Sequence, residues 1–69
     1  MQSPRLSGQS IRRYRVERGI SREELAYRAG VSIATVDRME AGRNVPSAET
    51  IAAIARLLGV PMESLFEAA

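Results

Sequence analysis

Apolar positions recur along this chain in short helical runs, each closed by a glycine and most opened by a serine. Ser21, followed three residues later by Glu24, has the spacing of a capping box and predicts a helix starting at about Arg22. Leu25, Ala26 and Ala29 then fall at helical spacing. Gly30 stops the run, because the left-handed backbone angle needed there is one that side chains resist. Ser32 can cap a second helix, in which Val36 and Met39 are apolar at i, i+3. Ala26 is small where a crossing helix must approach closely, and Val36 and Met39 point back at Leu25 and Ala29. Two short helices joined by a three-residue turn at a steep angle make a helix-turn-helix unit, whose second helix can enter a DNA major groove.

The rest of the pattern supplies the scaffold. Residues 1–6 hold a proline and no periodicity and read as a flexible N-terminal tail, with Arg5 able to act as an arm or to stay idle. A first helix runs from Ser7 or Gly8 to about Arg18, with Ile11, Tyr14 and Arg15 on one side, and Ile20 tucks into the core after Gly19. Gly42 ends the third helix, and residues 43–46 form a loop. Ser47 caps a fourth helix with Glu49 in its first turn and a buried stripe of Ile51, Ile54, Ala55 and Leu58, closed by Gly59. Pro61 suits the first turn of a fifth helix carrying Leu65 and Phe66. No strand signal, repeat or linker appears. The expected fold is all-α, a compact five-helix bundle forming one domain over residues 7–69.

Composition narrows the chemistry. A chain of 69 residues with neither cysteine nor histidine has no disulfide, no thiolate or imidazole ligand for zinc, and no Ser-His or Cys-His nucleophile. Asp37 and Glu40 sit at i, i+3 without a metal-binding cluster, so no catalytic residue, metal or cofactor is expected. The longest apolar run, residues 51–55, is far too short to cross a bilayer, and no signal-peptide core opens the sequence, so an intracellular protein is expected. Net charge is only +2, but residues 1–30 carry seven arginines against three acids, whereas residues 47–69 are net acidic. One end of the molecule should therefore attract polyanions more than the other. A merely solvated basic face would carry the same charges.

Ser-Arg-Glu-Glu-Leu-Ala (21–26), Ala-Gly-Val-Ser (29–32), Val-Asp-Arg-Met-Glu-Ala-Gly (36–42) and Leu-Leu-Gly-Val-Pro (57–61) together resemble the Cro/lambda-repressor type of helix-turn-helix domain, the XRE family. The resemblance runs from about Ser10 to Phe66. It implies a lambda-repressor-like fold, a cytoplasmic, nucleoid-associated setting in a prokaryote or phage, and a transcription regulator that binds double-stranded DNA. Antitoxins and adaptors resembling the same fold use it chiefly to hold a protein partner, which is the alternative reading.

At about 100° per residue, Val36 and Met39 fall on one side of the third helix, and Ala34, Asp37, Arg38 and Ala41 on the other, with Ile33 and Thr35 flanking. The resemblance points to Ile33, Ala34, Asp37 and Arg38 as base-reading positions. Arg38 can donate to guanine O6 and N7 or to a phosphate. Asp37 can accept from cytosine N4 or be a surface residue. Ile33 and Ala34 offer apolar contact, where many relatives carry glutamine or other polar groups. For phosphates the resemblance suggests Arg22, Ser32, Thr35, Arg43 and Asn44, with Ser32 equally suited to capping alone. It also implies a structural pair between Arg15 and Glu40. A homodimer on a palindromic site is expected, because one helix contacts too few base pairs to single out a site. Val60, Met62, Leu65 and Phe66 are the candidate dimer surface, although Leu65 and Phe66 could each belong wholly to the core.

Overall fold

The computed structural model describes residues 5–67. The chain order is β1 (Arg5–Leu6), α1 (Gly8–Glu17), α2 (Arg22–Ala29), α3 (Ile33–Glu40), α4 (Ala48–Leu58), a single 3₁₀ turn (Met62–Leu65) and β2 (Phe66–Glu67). Each α-helix opens on a serine whose hydroxyl accepts from the backbone N–H three residues on: Ser7 from Ser10, Ser21 from Glu24, Ser32 from Thr35 and Ser47 from Thr50. These bonds satisfy amides that have no partner within the helix.

The four helices enclose one core of Ile11, Leu25, Ala26, Val36, Met39, Ile51, Ile54, Ala55, Leu58 and Leu65. Each helix presents its stripe at 3.6-residue spacing, and burying each large side chain contributes about 1.5–3 kcal/mol. Gly8 lets α1 approach the end of α3: a Cβ there would stand 2.3 Å from the Met39 carbonyl oxygen and 2.6 Å from that of Glu40.

Two expectations are corrected. Among the described residues the bundle has four α-helices, not five, together with a small two-stranded sheet. Residues 62–65 make one 3₁₀ turn, closed by the Ser64 N–H donating to the Pro61 carbonyl at 2.9 Å. The segment lies between the Gly59 stop and an extended Phe66 (φ −114°, ψ 151°). So short a stretch cannot form enough i→i+4 bonds to repay helix nucleation, and the tighter turn is what fits. Its end is pinned by the Ser7 N–H donating to the Leu65 carbonyl at 2.7 Å and by the antiparallel pairing of Arg5 with Glu67 and Leu6 with Phe66. Arg5 and Leu6, counted with the tail in the sequence, are therefore part of the folded unit, and Leu6 packs against the core. The remainder of the expected tail, residues 1–4, lies outside the described residues.

Candidate nucleic-acid interface

The interface is built on the α2–turn–α3 unit. Gly30 takes φ +73°, and the Val31 N–H then donates to the Ala26 carbonyl at 3.0 Å, which folds the chain back across the end of α2. Ser32 starts α3 immediately. Ala26 lies in the crossing with 2% exposure, while Leu25, Val36 and Met39 are wholly buried. The rotation of α3 about its own axis is thereby fixed.

That rotation leaves Ile33, Ala34, Asp37 and Arg38 exposed along the outer side of the helix, with Ala41 at its end. Ile33 keeps 46% of its surface in solvent, high for an isoleucine. Arg38 lies back along α3, with Nη2 donating to the Thr35 hydroxyl at 3.4 Å. The Ser32 and Thr35 hydroxyls share a bond of 2.9 Å, and Ser32 Oγ also accepts from the Thr35 N–H at 3.1 Å, so both side chains serve the cap as they stand. Beyond α3, the Arg43 N–H donates to the Arg38 carbonyl at 2.8 Å, holding the loop against the helix end, with Arg43 exposed and Asn44 half-buried.

A charged cluster ties α3 to the scaffold. Arg15 is 7% exposed. Its Nε donates to Glu40 Oε2 at 2.6 Å, its Nη2 to Glu40 Oε1 at 3.2 Å and its Nη1 to the Ile20 carbonyl at 2.9 Å. The two-pronged geometry suits a guanidinium opposite a carboxylate. Arg22, at the first position of α2, joins the same group: Nε donates to Glu40 Oε1 at 3.0 Å and lies 3.4 Å from Asp37 Oδ1. The family resemblance pairs Arg15 with Glu40 alone and leaves Arg22 and Asp37 as separate DNA contacts. The signal that could have joined them is the placement of Asp37 and Glu40 one turn apart, facing the start of the preceding helix. The Gly8 approach was missed as well, although a glycine opening a helix invites that question.

Of the four residues expected at a dimer surface, Leu65 is fully buried and belongs to the core. Phe66 and Val60 are half-buried against that core, and Met62 is 37% exposed. Among the described residues, no cluster of His, Cys, Asp or Glu could hold a metal, and no helix is long and apolar enough to cross a membrane.

The four-helix fold, with α2 packed on α3 across the Gly30 turn and an outward-facing α3, defines a helix-turn-helix domain. Residues 8–69 match the family described as "Helix-turn-helix domain". The chain is 40% identical over 63 residues to RghRB, an uncharacterized HTH-type transcriptional regulator of Bacillus subtilis, covering 90% of this chain and 45% of that protein. It spans about half the length of two of the curated relatives it matches, 45% of one and 55% of the other. Among solved structures, the restriction-modification controller protein C.AhdI of Aeromonas hydrophila is similar with a TM-score of 0.79 and 32% identity, covering 86% of this chain and 89% of that one. The P22 c2 repressor in complex with a synthetic operator matches with a TM-score of 0.84 and 25% identity, covering 91% and 96%. The chain belongs to the helix-turn-helix domain family, in its XRE or lambda-repressor form.

Proposed function

We propose that this domain binds double-stranded DNA sequence-specifically, as a homodimer on a palindromic operator with α3 in the major groove, and that it regulates transcription in this way. The observation that carries the reading is the orientation of α3. Val36 and Met39 at 0% exposure hold it down, and Ile33, Ala34, Asp37 and Arg38 are left on the side that can face a groove. Arg22, Arg43 and Asn44 flank that side, as do Ser32 and Thr35, and supply hydrogen-bond donors for phosphates. The capture of the similarly folded P22 c2 repressor with an operator supports the same use.

The dimer reading rests on size and on the C-terminal segment. On successive major grooves the two α3 helices would lie ~34 Å apart, and the described residues of one copy extend 36 × 21 × 19 Å. Met62, with Val60 and the exposed part of Phe66, remains the candidate contact after Leu65 is assigned to the core. Selection from randomised duplex DNA should yield a two-fold symmetric site, and sedimentation should give a dimer on it that Met62→Glu weakens. A monomer on an asymmetric preferred site would exclude the dimer.

A further inference from the structure

Asp37 raises a difficulty for a DNA-facing helix, because a free carboxylate there repels phosphates. Its surroundings resolve this. Arg22 Nε, whose one hydrogen is donated to Glu40 Oε1 at 3.0 Å, lies 3.4 Å from Asp37 Oδ1, a contact of charge rather than a hydrogen bond. Glu40 is already gripped by Arg15 through both oxygens, with 5% of its side chain exposed. In the free protein the four groups carry two positive and two negative charges and cancel. Arg22 and Asp37 differ from the buried pair in being open to solvent, with side-chain exposures of 43% and 57%. They are also the two members that can leave one another without burying an unpaired charge.

We propose that Asp37 and Arg22 form a latch that couples base reading to backbone clamping. The proposal rests on the DNA-binding reading above. A carboxylate can only accept, so it can bond a base edge that offers an amino group, as cytosine N4 does in the major groove. When Asp37 engages such an amino group it gives up its share of Arg22. The three groups that remain, Arg15, Arg22 and Glu40, sum to +1, and that charge sits at the N-terminal end of α2, on the one member open to solvent. Arg22 keeps its Nε bond to Glu40, which aims the rest of the guanidinium, and its Nη groups, no longer offset by the carboxylate beside them, attract the neighbouring phosphate. Opposite a base edge that presents only acceptors, Asp37 stays with Arg22 and the clamp is not delivered. The correct base is thus signalled by an extra phosphate contact, which adds discrimination beyond the single hydrogen bond to the base.

The test compares salt dependence on two duplexes: the selected site, and the same site with the pair facing Asp37 inverted, which moves the amino group across the groove. That pair is located as the position where Asp37→Ala relaxes a roughly ten- to hundredfold preference. For the wild type, the slope of log K against log salt should be about 0.9 steeper per half-site on the selected duplex, one phosphate more. Asp37→Ala should bring both duplexes to the steeper slope. Arg22→Gln should bring both to the shallower one, and adding Asp37→Ala to it should change the slope no further. Arg22→Lys keeps the charge and should keep the difference. Equal wild-type slopes on the two duplexes, or a difference that survives Asp37→Ala, would overturn the latch while leaving DNA binding intact. Failure of the wild type to bind any duplex would instead overturn the DNA reading and the latch with it.

Discussion

Glu40 accepts from two arginines while keeping 5% of its side chain in solvent, which makes it the least replaceable side chain of the interface. Its ion pairs add little net stability, since desolvation offsets the attraction, but removing the acid strands Arg15 in a buried place. Glu40→Gln should therefore cost about 2–3 kcal/mol. In a domain of this size that lowers the melting temperature by roughly 10 °C or more, before any change in preferred sequence. An unaltered melting temperature with an altered preferred site would show Glu40 to be a reader instead. Gly8 gives a second case in which the residue acts through space rather than chemistry. Helix propensity alone says that Gly8→Ala stabilises by up to about 1 kcal/mol. The 2.3 Å approach of the new Cβ to the Met39 carbonyl oxygen forces backbone to move, and the expected result of thermal unfolding is a net loss of about 1–3 kcal/mol.

In the proposed function, the α2–turn–α3 unit divides its surface between reading and holding. Arg38 sits on the exposed side of α3, whereas Arg43 lies just past its end in the loop. Arg38→Ala should lose roughly 1–3 kcal/mol on the preferred site and relax choice at one base pair. Arg43→Ala should weaken all duplexes alike and reduce the salt slope by about one. Equal weakening of every sequence by both changes would make Arg38 a phosphate contact only. The elements that carry this division were legible in the chain because their signals are local. Ser21, Ser32 and Ser47 mark the helix starts, Gly30, Gly42 and Gly59 mark the ends, and the i, i+3 pair Val36 and Met39 sets the rotation of α3. The 3₁₀ turn was read as a helix because Pro61, Leu65 and Phe66 fit a helical pattern equally well. What decided the matter was a constraint from the other end of the chain, the Ser7–Leu65 backbone bond. Strands of two residues leave no period-two alternation to detect. Arg22 and Glu40 meet across 18 positions of sequence, and the i, i+3 spacing of Asp37 and Glu40 shows two acids one turn apart without showing which arginine meets them.

At the scale of the whole molecule, the fold brings together charges that the sequence keeps apart. The arginines concentrate in residues 1–30, which include α2, while the net acidic segment 47–69 contains α4, the 3₁₀ turn and β2. The two segments are neighbours in space, since Arg5 pairs with Glu67 and the Ser7 N–H bonds the Leu65 carbonyl, so the expectation of one basic end and one acidic end is corrected. Reading of duplex DNA by the outward side of α3, flanked by arginines, is the function proposed for this domain. It is tested most directly by equilibrium titration of the wild-type protein against its selected duplex and a scrambled one at several salt concentrations. About four to six phosphate contacts per monomer predict a slope of log K against log salt of roughly −3.6 to −5.4 per monomer, with the selected duplex bound at least ~10³-fold more tightly than the scrambled one. Absence of binding to either duplex below ~10 μM in low salt, or equal affinity for both, would contradict the account.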